Sequence, residues 1–459
     1  MTDRSQPAES ADGVPADTQP TSESLEQACQ LFRKVVDPQL LETWQPSAPQ
    51  AVYTTWVTVW LLIYQRLHGN ASLQAAVIAL LEFVGQISTN KRVTEGTLSN
   101  NTGSFSRART RLEVDTTQAA ADHVCTSLLP PPSPLCGGRH ILIMDGSTLS
   151  LSASAAVRRQ WPGIHNQHGP SPWPIAHVTV AHELETGLAW RPEVGAMYGP
   201  DAVSEVALAI QLLPRIPANS VLLADRGFGI FGFVHAAVQA GHDTLTRLTE
   251  SRFRALARRA RVLRPGVWGL TWQPSRKDCQ TFHELPAEAH VTIELHEFPG
   301  HDGQPIWVAT TLELTTPQVA AIYARRYEVE WDIRQWKRQL EMGNTRGQSV
   351  AMVLKEVALA TIAYNLVVQV RILASAASRL PAKRLSFARI RCLVETLLLE
   401  SQRQHSAAEW LTKFDQVLKY AAKCKVPNRP GRSYPRVAYG TRTSKYPHRG
   451  RPTEDTDPK

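Results

Sequence analysis

The chain is expected to fold as α/β: a mixed sheet with flanking helices and a β-rich insertion, preceded by a helical N-terminal domain and followed by a helical, basic C-terminal region. Three observations predict this. Two short apolar runs, HILIMD closing on Asp145 and SVLLAD closing on Asp225, read as strands that each end in an acid. Before residue 129 and after residue 316 the apolar residues instead recur at helical spacing. From 252 to 314 an arginine-rich start gives way to alternating segments such as 289–296 and 306–312, the period of half-buried strands.

The elements follow in order. Residues 1–24 are rich in Ser, Pro, Ala, Thr and Asp, and are expected to be disordered. Within 25–134, helices are expected over 25–36, 53–68, 73–84 and 116–128, punctuated by Pro38, Pro46, Pro49, Gly69 and Gly85. A proline cluster at 130–134 then marks a boundary. The first part of the sheet domain, 135–250, has strands at 140–145 and 220–225 and a strand pair, 175–184 and 187–194, turning at 185–187. Helices at 201–213 and 232–240 complete it. After the insertion, 251–315, helix resumes at Pro317, and a buried helix follows around 357–373, so that 316–375 is the second part of the same domain. Residues 376–459 hold helices at 385–399 and 407–422 before a basic tail.

Composition excludes several classes. With 43% hydrophobic and 20% charged residues the chain reads as globular. Its longest apolar runs, 56–64 and 357–370, fall short of the roughly 18–20 residues of a membrane span, and Asn365 and Gln369 interrupt the second. Both read as buried helices, and no membrane partner is expected. The N-terminus lacks the apolar segment of a signal peptide. Cysteines at 29, 125, 136, 279, 392 and 424 show no paired spacing, so reduced thiols in a cytoplasm are expected rather than disulfides or a zinc site. The HxxH of His165 and His168 has no companion at ligand spacing. The net charge of +9 resides in the tail, where 423–451 carries nine Lys/Arg and no acid, interleaved with Tyr434, Tyr439 and Tyr446. That pattern is either a solvated tail or an electrostatic footprint for nucleic acid.

The chemistry concentrates in YARRYEVEWDIRQWK, 323–337. Tyr323, Arg326, Glu330 and Lys337 lie 3, 4 and 7 residues apart, within an arc of roughly 60° on an α-helix. Taken alone, this is also the pattern of a solvated helix with i,i+4 ion pairs, and an acid before glycine is also a turn signal. Together, two acids at strand ends and one on a helix make three carboxylates with no competing thiol or imidazole. Such hard oxygen ligands suit Mg²⁺ or Mn²⁺. Two such ions about 4 Å apart would activate a water or 3′-hydroxyl and stabilise the leaving oxygen in phosphoryl transfer.

This constellation resembles the transposases of the IS4 group, which share the DDE, RNase H-like fold. Their helix signature is Tyr, two residues, Arg, three residues, Glu, six residues, Lys, which Tyr323, Arg326, Glu330 and Lys337 match in full. Asp145 in IMDGSTLSL and Asp225 in LLADRGF resemble the two catalytic aspartates, and SNNTGSFSRARTRL (99–112) is similar to the stretch preceding the catalytic domain in many members. The likeness spans roughly 50–450. It implies that Asp145, Asp225 and Glu330 are catalytic and hold two Mg²⁺ (or Mn²⁺) ions, and that Tyr323, Arg326 and Lys337 hold DNA phosphates. It also implies a cut-and-paste reaction on double-stranded DNA: a 3′ nick at the terminal inverted repeat, a hairpin, hairpin opening and transfer to target DNA. A homodimer on paired ends, an N-terminal DNA-binding domain and a bacterial, nucleoid-associated location follow from the same likeness. Some members stack a flipped base on a tryptophan of the insertion; Trp307 is the expected residue here, with Trp268 and Trp272 behind it.

Arg252, Arg254 and Arg258, with Arg259, Arg261 and Arg264, are expected to contact phosphates, and Arg247 to line the crevice. Arg107, Arg109 and Arg111 recur with period 2, which spreads them over different helix faces. Two other readings stay open. One is a metal-dependent nuclease of the same fold, the other a domesticated DNA-binding descendant.

Overall fold

The N-terminal section folds as helices because its apolar residues recur at helical spacing and polar caps sit where several of the runs begin. The computed structural model describes residues 36–427 except 168, 287, 301–302, 344 and 404–405, with backbone alone at 166 and 170. The expected helix over 25–36 (but for Val36), the N-terminal tail, the basic tail from 428 onward with its tyrosines, and His168 lie outside the described residues. The first helices are α1 (Pro38–Trp44), α2 (Thr55–Leu67), α3 (Leu73–Leu81), α4 (Val84–Ile87), α5 (Lys91–Thr94), α6 (Gly103–Arg111) and α7 (Val114–Ser127). The side chains of Asp37, Thr54 and Ser72 accept N–H bonds at the starts of α1, α2 and α3. Pro38, read from sequence as punctuation, opens α1, where its missing N–H costs nothing.

The sheet domain follows as β1 (Ile141–Ser150), α8 (Ala155–Gln160), β2 (His165–Asn166), β3 (Gly169–Pro170), β4 (Ile175–Glu183), β5 (Glu193–Ala196), α9 (Glu205–Leu212), β6 (Val221–Ala224), α10 (Phe231–Gln239) and β7 (Asp243–Arg247). The β-rich stretch comprises α11 (Glu250–Ala257), β8 (Arg261–Arg264), β9 (Val267–Trp272), α12 (Arg276–Thr281), β10 (Val291–Pro299) and β11 (Pro305–Thr310). Then come α13 (Thr316–Ala324), α14 (Glu328–Gln339), α15 (Val350–Ser378), α16 (Phe387–Glu400) and α17 (Ala407–Ala421). The expected mixed sheet with flanking helices is present. Its nine strands run β5-β4-β1-β6-β7-β11-β10-β9-β8, with β1, β6 and β7 parallel. The strands of the β-rich stretch form the far end of this same sheet, joined where β11 pairs antiparallel with β7.

Three expectations need correction. The second strand of the pair, expected over 187–194, is β5 at Glu193–Ala196, and 187–192 reach it with only an isolated bridge of Ala189 to His182. The strand expected to end at Asp145 continues to Ser150, because β4 supplies antiparallel partners along the whole of β1. What ends at the acids is the parallel pairing of β1 with β6, whose last register pair is Met144 with Ala224. The signature expected on one α-helix is divided between α13 and α14 by a 3₁₀ turn at Arg325–Tyr327. There the tighter winding sends Arg325 outward to Glu185 and Glu328 while Arg326 turns in under the sheet.

Alternation in β1 and β6 sorts their side chains between two cores. Ile141, Ile143, Val221 and Leu223 pack with Tyr323, Val329 and Ile333 of α13 and α14, whereas Leu142, Met144, Leu222 and Ala224 belong to the larger core on the opposite face. That core is organised around α15, 29 residues long. By length and composition α15 could cross a membrane, but 89% of its most apolar stretch is buried inside the fold. Asn365, which interrupts its apolar run, is fully buried and clamps Ala189: it donates to the carbonyl at 2.8 Å and accepts from the N–H at 2.9 Å.

One buried histidine gives the fold a pH dependence. His296 of β10 is fully buried, its Nδ1 3.1 Å from the Thr316 hydroxyl. Burial, aided by Arg264, pushes its pKa down to about 4. Glu294 lies 3.4 Å away but is itself paired with Arg264 at 2.6 Å. Because the folded value lies below the unfolded one near 6.5, the unfolded chain gains the proton first. Stability is therefore expected to fall as pH drops from about 6.5 toward 4, by on the order of 1–2 kcal/mol at pH 5 from this residue. Denaturant titrations at pH 7 and pH 5 check it; a His296→Gln variant with the same loss would remove the assignment.

Candidate active site

The two aspartates occupy the first positions past the paired ends of β1 and β6. By alternation both fall on the face covered by α13 and α14. Asp145 Oδ1 accepts from the Gly146 N–H at 2.9 Å, and Asp225 Oδ1 from the Gly227 N–H at 2.7 Å. Arg326, only 7% exposed, reaches from the 3₁₀ turn to two carboxylates: 3.7 Å to Asp145 and 3.3 Å to Glu330. Its guanidinium also lies 4.1 Å over the Tyr327 ring. Further along α14, the Lys337 ammonium donates to the Ser147 hydroxyl at 3.3 Å. The 3₁₀ turn and α14 are thus tied to β1 at two points, Asp145 and Ser147, two residues apart on the strand.

Sequence reasoning missed a fourth carboxylate. Glu205 opens α9, and a Cβ on Gly146 would overlap its carboxylate. Its only sequence signal is an acid following an N-cap serine, which is ordinary in a helix's first turn. Burial, followed by Asp145 and Asp225, pushes the Glu205 carboxyl up to about 7. Burial likewise pushes Asp145 up to about 6; Arg326 and the Gly146 N–H restrain the shift, while Asp225 and Glu330 add to it.

The other expected site residues fall at different depths. Tyr323 is buried, and its neighbours include Arg326, Arg247 and Asp225, so it lies beneath the crevice rather than on its rim. Arg247 ends β7 opposite Val308. Glu330 is about half exposed and, with Ser147, Arg334, Lys337 and Arg338, lines an open groove of about 470 Å³. Trp307 is half-buried, its ring 6.1 Å from Phe253; Trp268 meets the same Phe253 edge-on, and Trp272 is buried against Phe231. The arginines separate too. Arg252 donates to the Gly229 carbonyl at 2.6 Å, Arg254 pairs with Glu250 and Arg264 with Glu294, while Arg258, Arg259 and Arg261 are exposed. Arg109 turns inward to Glu356 at 3.8 Å.

The donor set suits a hard divalent ion: carboxylate oxygens alone, crowded enough to raise one another's pKa. Among the described residues no three such groups stand close enough together to hold an ion as they are. Arg326 reaches between Asp145 and Glu330, so ligation requires side-chain rotation, which an exposed Glu330 permits.

Comparison with known proteins shows the family. A family model described as the transposase DDE domain matches residues 137–366, a span that holds all four carboxylates. No curated protein matches the chain. Among solved structures it is similar to a piggyBac transposase synaptic complex with hairpin DNA, at 10% identity and a TM-score of 0.41, over 89% of this chain and 87% of that one. The family match covers half of the sequence, and the chain accordingly belongs to the DDE-domain transposases, enzymes that cut and transfer DNA.

Proposed function

We propose that this transposase is the cut-and-paste enzyme of an IS4-type insertion sequence, acting as a homodimer on paired terminal repeats. The observation that carries the reading is the placement of Asp145 and Asp225 beside one another past a parallel strand pair, with Arg326 linking Asp145 to Glu330. Asp145, Asp225 and Glu330 are the metal-holding acids. A pair of Mg²⁺ or Mn²⁺ ions bound there supplies an activated attacking oxygen and charge neutralisation at the leaving one. Arg326 keeps Asp145 and Glu330 facing one another before ligation and then becomes available to a phosphate. Lys337, which burial disposes toward losing its proton, gains from an arriving DNA phosphate, whose charge favours the ammonium. Arg258, Arg259 and Arg261 offer further phosphate contacts that set affinity rather than sequence choice. The helices of 25–134 are the DNA-end-binding part and Arg247 a crevice residue near Tyr323.

The test uses purified protein, Mg²⁺ and labelled DNA carrying the sequences that flank its own reading frame, run on a denaturing gel beside an Asp225→Ala control. Nicks and hairpins at discrete positions, absent with the control, are expected. Scattered cuts would favour the nuclease; binding without cleavage would favour a domesticated DNA-binding descendant.

A hairpin route needs a base held out of the stack. Trp307 can serve only if a base reaches its ring past Phe253. Trp307→Ala is then expected to slow hairpin formation roughly 10-fold or more, as the loss of one stacked base predicts, while nicking continues. Hairpins forming at the normal rate would end the stacking role.

A further inference from the structure

Glu205 comes to the two aspartates from the face of the sheet opposite to Glu330. Its backbone is fixed: the Ser204 hydroxyl caps α9 by accepting from the Ala207 N–H at 3.1 Å, and the Glu205 carbonyl accepts from the Thr179 hydroxyl, also at 3.1 Å. Thr179 on β4 is the register partner of Gly146 on β1. The Glu205 side chain therefore crosses one strand spacing, about 4.8 Å, and ends against the backbone of Gly146. It fits there only because residue 146 has no Cβ. Position 146 lies past the last register pair of β1 with β6, and its N–H is approached by both Asp145 and Glu205. Among the described residues, no Lys, Arg or His forms an ion pair with Glu205 or with Asp225, and Arg326 pairs with the other two acids. A half-buried carboxylate set against Gly146, one residue along from Asp145, is costly unless a cation joins it.

Building on the catalytic reading above, we propose that Glu205 is a fourth carboxylate of the metal centre, binding a divalent ion jointly with Asp145 and Asp225. Four carboxylates balance the charge of two divalent ions, which three do not. In this role Gly146 is the residue that admits Glu205 to the centre, and α9 is a part of the active site rather than a covering helix.

The experiment titrates Mn²⁺ into the full-length protein, following free Mn²⁺ by electron paramagnetic resonance and stability by thermal unfolding. Glu205→Gln is expected to weaken Mn²⁺ binding at least 10-fold or to remove one of two bound ions. Without added metal the same variant should melt no lower than the parent, since it loses a repelling charge, and Mn²⁺ should raise its Tm less. Glu205→Asp should recover part of the affinity. Gly146→Ala, which displaces the Glu205 carboxylate without altering its charge, should reproduce the weakening. Parent-like Mn²⁺ binding by Glu205→Gln overturns the proposal. An Asp225→Asn control separates the two failures: if it loses Mn²⁺ while Glu205→Gln does not, only the role of Glu205 falls, and if it too binds normally, the catalytic reading falls with it.

Discussion

Glu330→Gln is expected to cut its DNA ends at least 10³-fold more slowly, a barrier increase of roughly 4 kcal/mol, while binding them within a few-fold of the parent. The substitution keeps the shape of the side chain and its length along α14 but removes the charge that pairs with Arg326 at 3.3 Å. Glu330 is about half exposed and takes no part in the core, so the fold should not register the change. Single-turnover cleavage on a gel, with anisotropy of the same labelled DNA, separates chemistry from binding. A variant that still cuts near the parental rate would remove Glu330 from the centre, and with it the meaning of the helix signature.

The second large effect is on stability. Glu356 on α15 is buried, with Arg66 of α2 at 2.7 Å, Arg109 of α6 at 3.8 Å and the Arg346 N–H at 3.3 Å. Its side chain and that of Arg66 are each only 4% exposed. Glu356→Ala leaves the guanidinium groups of Arg66 and Arg109 without their shared carboxylate in a mostly buried site, a change that typically costs about 3–5 kcal/mol. Denaturant unfolding should show a loss in that range. Replacing Glu356 and Arg66 together by methionine should recover much of it, because the larger part of the cost is the unpaired charge. A loss below about 1 kcal/mol would mean that water reaches the cluster.

Much of the arrangement of the candidate site was legible because its signals are local. Asp145 and Asp225 end apolar strings that can only be buried strands, and the spacing of Arg326, Glu330 and Lys337 survives the 3₁₀ turn well enough to keep all three beside β1. Glu205 was not legible, since its significance depends on Thr179 and Gly146, distant in sequence and joined to it only by sheet register. The extension of the sheet through β11 was hidden for the same reason: nothing in PIWVAT reveals that its partner is β7. Asn365 could be read as an interruption of a buried helix, but only the fold supplies Ala189 as the backbone it satisfies. The 3₁₀ turn that sends Arg326 inward and Arg325 out to Glu185 was not legible either, because Glu185 is distant in sequence.

The position of α15 in the chain sets the order in which the protein can be made. Helices α2 and α7 are produced early, and α2 is buried on nearly every side, yet both pack on α15, which leaves the ribosome only after the whole sheet has been translated. At 5–20 residues per second the interval between α2 and α15 is roughly 15–60 s, during which α2 can pack on α1, α3 and α6 but the side that α15 covers stays open. Nascent chains stalled just before α15 should therefore hold chaperones on the N-terminal helices, and release should coincide with its emergence. By that point β1, β6 and α14 have already been synthesised, so α15 meets the N-terminal helices when Asp145, Asp225 and Glu330 are all in the chain, and α16 and α17 follow to pack on it.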